Sequence, residues 1–196
     1  MTVNVQKRRR YRVRRMTREL PAEREISPGR RLYMLLTVIA AAGVFAGAYS
    51  YSGGEINAEG GFVSAFVTSL CSVGIYVLLF FFGGLSAVGQ PMGYILCFFK
   101  GLGTGYLAAY AACAMKSGNV CAALNILPFE AVSMVTVIFG ARENIRMSSY
   151  ISGRSFGASG EASDEGSLRL YLAKFALILL TGIAAAAMRG LMAAVL

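Results

Sequence analysis

The sequence predicts an all-α fold: a polytopic membrane helix bundle with about five transmembrane helices and a cytoplasmic N-terminus. Three observations support this prediction. Hydrophobic residues make up 56% of the 196 residues, charged residues make up 15%, and the mean hydropathy is +0.58. Five apolar stretches each reach the ~20 residues that a helix needs to cross the hydrocarbon core of a bilayer. Basic residues cluster before the first stretch and after the fourth, and the positive-inside rule assigns both places to the cytoplasm.

Residues 1–31 form a basic tail that we expect to be disordered. Apolar residues are few, and Pro21, Pro28 and Gly29 interrupt any helical pattern. The basic residues crowd its first half: Lys7, Arg8, Arg9, Arg10, Arg12, Arg14 and Arg15. Such a cluster can bind nucleic acid. Directly before a membrane helix, it is better explained by topology and by attraction to anionic lipids, at about 1 kcal/mol per basic residue. We therefore expect membrane lipids, and no nucleic acid, as partners of the tail.

The first span is expected at about residues 32–51. Gly43 and Gly47 form a G-x-x-x-G step within it, which allows another helix to approach closely. Residues 46–48 read Ala-Gly-Ala and resemble a signal-peptidase site, so cleavage is an alternative. The long preceding tail and the further apolar stretches favour an uncleaved helix.

Four further spans complete the predicted bundle. A loop with Glu55 and Glu59, expected outside, leads to the second span, and a break containing glycine and proline at residues 86–91 ends it. A short connection with Lys116 follows the third span. The Gly/Ser-rich stretch at residues 141–167 is expected to be a flexible cytoplasmic linker. The four spans are expected at about residues 62–85, 91–113, 120–140 and 168–195.

Lys100 lies near the middle of the third span, where a charge costs about 2.5–3.5 kcal/mol on insertion scales. About ten residues separate it from the inner turn, and about ten separate Glu130 from the outer end of the fourth span, or about 15 Å in each case. Both therefore reach the midplane. We hypothesise that they pair inside the bundle beside Pro128, which opens the local backbone ladder. The alternative is that the helix ends are misplaced and that one charge lies nearer an interface.

Other polar or reactive residues have simpler explanations. Gly101, Gly103 and Gly105 lie inside an apolar span with no preceding strand, so a helix–helix contact is favoured over a phosphate-binding loop. We expect Arg189 to reach the outer headgroups, with pairing in the core as the alternative. The sequence contains no histidine, which removes histidine-based metal sites and Ser-His triads. The four cysteines form no C-x-x-C pair and are expected to be small buried hydrophobes. No cofactor is expected.

The order of these features also matches a known pattern. The first span contains Phe-Ala-Gly-Ala at residues 45–48. A block follows with GLSAVGQP at residues 84–91, FKG at residues 99–101 and GY at residues 105–106, and its most specific part is GQP followed by FKG. Leu127-Pro128 and a final long apolar stretch follow it. Over about residues 31–196, the chain resembles the stage II sporulation protein M family of endospore-forming bacteria.

This resemblance implies a scaffold without enzymatic activity. It implies a role in the engulfment of the forespore, in which the chain holds together the peptidoglycan-degrading stage II sporulation proteins D and P at the septal membrane, a bacterial cytoplasmic membrane. The residues expected to maintain the structure or the assembly are Gly84, Gly89, Pro91, Lys100, Gly101, Gly105, Pro128 and Glu130. The alternative function is a small transporter or channel subunit that uses Lys100 and Glu130 as midplane charges.

Overall fold

The structure is a computed structural model, and it describes residues 28–53, 61–86, 88–155 and 164–195. The chain divides into two units, Met1–Arg31 and Leu32–Leu196. The basic cluster at residues 7–15 and the loop residues Glu55 and Glu59 lie outside the described residues.

The described residues form five α-helices and contain no strand. All five helices are long and apolar enough to cross a membrane. The predicted all-α, multi-pass membrane bundle is therefore confirmed. The helices are α1 Pro28–Tyr49, α2 Gly61–Gly84, α3 Gly89–Lys116, α4 Val120–Ser155 and α5 Asp164–Val195.

The outer surface of the bundle is strongly apolar. Large hydrophobic side chains on every helix are more than half exposed, for example Phe45, Ile75, Phe99, Val135 and Leu180. A soluble monomer rarely exposes apolar surface on this scale. In a membrane protein, the same side chains face lipid, and their exposure carries no free-energy cost of contact with water.

Most of the cysteines are also exposed on the surface of the bundle. Cys97 is buried, whereas Cys71, Cys113 and Cys121 are exposed on the bundle surface. The expectation of four buried cysteines is therefore wrong. Lipid tails are as apolar as a protein core, so a small apolar side chain has no strong preference between the two.

The core of the bundle draws residues from each of the five helices. Leu36 of α1, Phe80 of α2, Cys97 of α3 and Phe129 of α4 are at most 1% exposed, and Phe175 of α5 joins the same cluster. α3 packs against α4, and α2 packs against α5. α2 and α4 also contact each other, α4 contacts α5, and α2 contacts α3, so α2 and α4 each pack against at least three other helices.

A three-residue turn joins α3 to α4. The amide of Gly118 donates to the carbonyl of Met115 at 3.1 Å, and the amide of Asn119 donates to that of Ala114 at 2.9 Å, which is the Schellman arrangement for ending a helix. Gly118 has φ of +89°, a value that favours glycine. The side chain of Asn119 then caps α4, because its Oδ1 accepts from the amide of Ala122 at 3.2 Å. The two helices are consequently held as an antiparallel pair.

The break between α2 and α3 is also short. The amide of Ser86 donates to the carbonyl of Gly83 at 3.0 Å, and the amide of Gly89 donates to that of Ser86 at 3.2 Å. Pro91 lies in the first turn of α3, where its missing N–H removes no intrahelical hydrogen bond. The sequence therefore places the proline where α3 tolerates it.

The fourth helix is longer than its predicted span, and this corrects the expected linker. Residues 141–155 continue α4, and residues 164–167 already belong to α5. Residues 156–163 lie outside the described residues. Three polar side chains of this segment, Glu143, Asn144 and Ser148, are buried. They bind Lys174 of α5, the carbonyl of Phe80 and the carbonyl of Ser86, so this polar segment packs as part of the bundle.

Candidate assembly site

Four glycines bring α1 and α3 into direct backbone contact. Gly43 and Gly47 lie on α1, and Gly101 and Gly105 lie four residues apart on α3. A Cβ atom at Gly101 would lie 2.5 Å from the carbonyl oxygen of Ala40 on α1. A Cβ at any of the other three glycines would likewise overlap a backbone oxygen of the facing helix. The two G-x-x-x-G steps therefore face each other, as small residues do where membrane helices approach closely.

Gly103 does not share this contact. A Cβ atom built on it meets nothing within 4 Å. Of the three spaced glycines in α3, the structure thus places Gly101 and Gly105 against α1 and leaves Gly103 in open space. This difference provides a matched control position on the same helix.

Lys100 and Glu130 form an ion pair between α3 and α4. The Nζ of Lys100 lies 2.9 Å from Oε2 of Glu130, and each side chain is 5% exposed. The hydroxyl of Thr104, one helical turn beyond Lys100, donates to the same carboxylate oxygen at 2.7 Å. The structure therefore brings together the two charges that were expected to pair, and it adds the hydroxyl of Thr104 as a second donor, which the sequence did not indicate.

The ring of Phe129 lies beside this pair. The guanidinium carbon of Arg189 on α5 is 5.2 Å from the ring centroid, and Nζ of Lys100 is 6.0 Å from it. A guanidinium NH group of Arg189 also donates to the hydroxyl of Ser69 on α2 at 3.1 Å. Arg189 therefore packs within the bundle, and the expectation that it reaches the outer headgroups is corrected. Partners on α2 and α4 hold it there, and a reading of α5 alone cannot reveal them.

Pro128 lies inside α4, two residues before Glu130, and the helix continues through it. Because proline has no N–H, it donates no hydrogen bond to the carbonyl four residues earlier. The expected gap in the backbone ladder thus lies next to the ion pair without ending the helix.

The C-terminal end of α2 is held by side chains of α4 and α5. The Nδ2 of Asn144 donates to the carbonyl of Phe80 at 2.7 Å, and the hydroxyl of Tyr171 donates to that of Phe81 at 2.9 Å. The hydroxyl of Ser148 donates to the carbonyl of Ser86 at 2.8 Å. Carbonyls lack intrahelical partners toward the end of a helix, and these donors bind three carbonyls at and just beyond the end of α2. None of the three donors was expected from the sequence: Asn144 and Ser148 lie in the stretch assigned to a linker, and Tyr171 lies at the start of the fifth predicted span, where nothing indicated a partner.

Gly84 and Gly89 permit this packing. A Cβ at Gly84 would overlap the hydroxyl of Tyr171, and a Cβ at Gly89 would overlap the carbonyl oxygen of Gly83. Both glycines are buried, while Pro91 is exposed. The glycines of the GLSAVGQP block thus set how closely α2, α3 and α5 meet.

A second charged cluster surrounds Glu143. Arg142 and Arg146 approach its Oε1 at 3.1 and 3.4 Å, and Lys174 of α5 approaches its Oε2 at 2.8 Å. The guanidinium carbon of Arg142 also lies 4.4 Å from the ring centroid of Tyr33. The spacing of Arg142 and Arg146 around one glutamate was visible in the sequence, but the contribution of α5 was not.

These arrangements can hold helices in a fixed register. In both clusters, the charged groups point at one another across helix boundaries, and paired charges of this kind are how membrane proteins accommodate ionisable residues. Within the described parts of the chain, no three acidic, cysteine or histidine residues are grouped as a metal site would require. Comparisons with protein-family models, with curated proteins and with solved structures found no match.

Proposed function

We propose that this chain is a non-enzymatic membrane scaffold of the sporulation engulfment machinery, located in a bacterial cytoplasmic membrane. Its role is to anchor peptidoglycan-degrading enzymes at the septal membrane. The partners proposed by resemblance are stage II sporulation proteins D and P.

One observation carries the proposal: the block that gives the family resemblance is also the block that joins the helices. Gly84 permits the close contact of α2 with α5, and Gly89 permits the α2–α3 break. Lys100 binds Glu130 of α4, and Gly101 and Gly105 contact α1. A sequence block used in this way maintains one arrangement of helices. A scaffold requires such an arrangement, because partners can bind only a surface whose parts keep their positions.

The alternative of a transporter or channel subunit uses the same Lys100–Glu130 pair. In the structure, each of these two charges is directly bound to the other and is 5% exposed. A cavity of about 350 Å³ lies between α4 and α5, and its lining residues, among them Val132 and Thr181, include neither charge. The geometry therefore favours the architectural role.

The proposal is tested in an endospore-forming host whose own copy of the gene is deleted and replaced by the tagged chain. We expect the wild-type chain to support engulfment and to co-purify with peptidoglycan hydrolases from sporulating cells in mild detergent. Gly101→Leu, which pushes α1 away from α3, is expected to lose both. Gly103→Leu, on the open side of the same helix, is expected to retain both.

Two results would contradict the scaffold. The first is normal engulfment in the deletion strain together with recovery of no hydrolase. The second is a substrate-driven ion flux in proteoliposomes that Lys100→Met abolishes, which would support the transporter instead. Membrane levels of each variant are measured in parallel, so that loss of the protein is distinguished from loss of a partner.

A further inference from the structure

The groove between α4 and α5 combines an apolar cavity with a basic end. The cavity has a volume of about 350 Å³, and its walls include Val135 and Leu177, which are 53% and 67% exposed. Arg142, Glu143 and Lys174 close one end. A second cavity of about 240 Å³ begins at the same Glu143–Lys174 pair and adds Arg146. We call the two cavities together the α4–α5 groove.

The charges at the basic end do not balance. Among the described residues, three cations, Arg142, Arg146 and Lys174, surround the carboxylate of Glu143, which leaves an excess of two positive charges in this described cluster. The Nε of Arg142 is also buried without a hydrogen-bond partner among the described residues. A buried donor without an acceptor is costly, so this end of the groove is suited to an additional anion.

The basic end lies at the depth of lipid phosphates. Glu143 follows Glu130 by 13 residues on α4, which is about 20 Å along a helix. If the Lys100–Glu130 pair lies at the midplane, the hydrocarbon ends about 15 Å away. Glu143 and its cations therefore lie just beyond the hydrocarbon, on the side that the positive-inside rule assigns to the cytoplasm. The apolar cavity extends from there toward the midplane, since its lining includes Val132, which precedes Glu143 on α4 and lies close to Glu130, and Thr181, which follows Lys174 on α5.

We infer that the α4–α5 groove binds one anionic phospholipid, with its phosphate at Arg142, Arg146 and Lys174 and one acyl chain in the apolar cavity. Basic pockets between membrane helices on the cytoplasmic side are suited to anionic headgroups. The excess positive charge selects against zwitterionic lipids, and the apolar walls select for a ligand that has a hydrocarbon tail. This inference does not depend on the proposed function.

The test uses the full chain, purified in a neutral detergent and titrated with phosphatidylglycerol or phosphatidylethanolamine, with bound lipid counted by native mass spectrometry. We expect phosphatidylglycerol to bind at least tenfold more tightly. The double variant Arg146→Gln/Lys174→Gln is expected to weaken phosphatidylglycerol binding on the order of 25-fold, or about fivefold for each cation removed. Arg142 is kept, because it also contacts Tyr33.

Two further variants separate the groove from general surface attraction. Arg169→Gln removes an exposed charge from the same end of α5, outside the residues that line the groove, and is expected to change binding less than twofold. Thr181→Trp fills the apolar cavity without changing any charge, and is expected to weaken binding at least tenfold. The inference is overturned if the two lipids bind equally, if Arg169→Gln matches the double variant, or if Thr181→Trp has no effect.

Discussion

Replacing Lys100 by methionine tests the mid-depth ion pair directly. The substitution keeps an unbranched side chain of similar length but removes the charge. The carboxylate of Glu130 then loses the Nζ group that lies 2.9 Å away, while it keeps the hydrogen bond from Thr104. At 5% exposure, water cannot replace the lost partner.

The expected cost follows from this burial. A hydrogen bond to a charged group contributes about 1.5–3 kcal/mol, and removing one partner of a buried ion pair costs about 3–5 kcal/mol because the other charge remains. We expect Lys100→Met to lower the free energy of unfolding by about 3–5 kcal/mol. Replacing both Lys100 and Glu130 by methionine removes both charges, and it is expected to leave the stability within about 1 kcal/mol of the wild type or to raise it.

The measurement is the free energy of unfolding in mixed micelles, titrated with a denaturing detergent. Lys116→Met serves as the control, because Lys116 is an exposed lysine at the end of the same helix, and a change within about 0.5 kcal/mol is expected. The reasoning is refuted if Lys100→Met is as stable as this control. It is also refuted if the double variant is as unstable as the single one.

The remaining predictions concern the helix contacts and the topology. Gly47→Val is expected to separate α1 from α3 and to lower stability by at least about 2 kcal/mol, whereas Gly103→Val should cost about 1 kcal/mol or less; equal effects would contradict the contact. Tyr171→Phe removes the hydrogen bond to the end of α2 and is expected to lower the free energy of unfolding by about 1 kcal/mol in the same titration. An unchanged midpoint of unfolding would argue against that hydrogen bond. In a cysteine-free chain, Ser117→Cys is expected outside and should react with an impermeant maleimide added to intact cells. Ser149→Cys is expected inside and should react only after lysis, and the reverse pattern would contradict a cytoplasmic N-terminus.

The fold could be predicted because the bilayer imposes a simple rule on the sequence. Each span must be helical and about 20 residues long, since lipid leaves no other way to satisfy the backbone. The five apolar stretches met that rule, and the breaks between them carry glycine, proline or asparagine. The boundary of α4 was missed because composition alone cannot distinguish a polar linker from a polar helix whose side chains, such as Asn144 and Ser148, are bound by neighbours.

The Lys100–Glu130 contact could be anticipated for a related reason. A charge at mid-depth is so costly that it needs a partner, and Glu130 is the acidic residue at the matching depth. Arg189 could not be placed in the same way. It contacts a hydroxyl and an aromatic ring, those of Ser69 and Phe129, and such residues are too common for a sequence to single them out.

The glycines show both the strength and the limit of spacing arguments. The steps at Gly43 and Gly47 and at Gly101 and Gly105 predicted close helix contacts, and the structure shows that the two steps meet each other. The spacing could not reveal which helices would meet. It also could not distinguish Gly103, which lies in the same helix and faces open space.

The three-residue turn between α3 and α4 bears on how the protein is made. The two buried charges lie one on each arm of this antiparallel pair, 30 residues apart in the chain. If α3 entered the membrane by itself, its lysine would meet hydrocarbon without a counter-charge, at a cost of about 2.5–3.5 kcal/mol. If α3 and α4 enter the membrane together, Lys100 and Glu130 enter the hydrocarbon as a neutral ion pair. The insertion machinery is therefore expected to retain α3 until synthesis has passed Glu130.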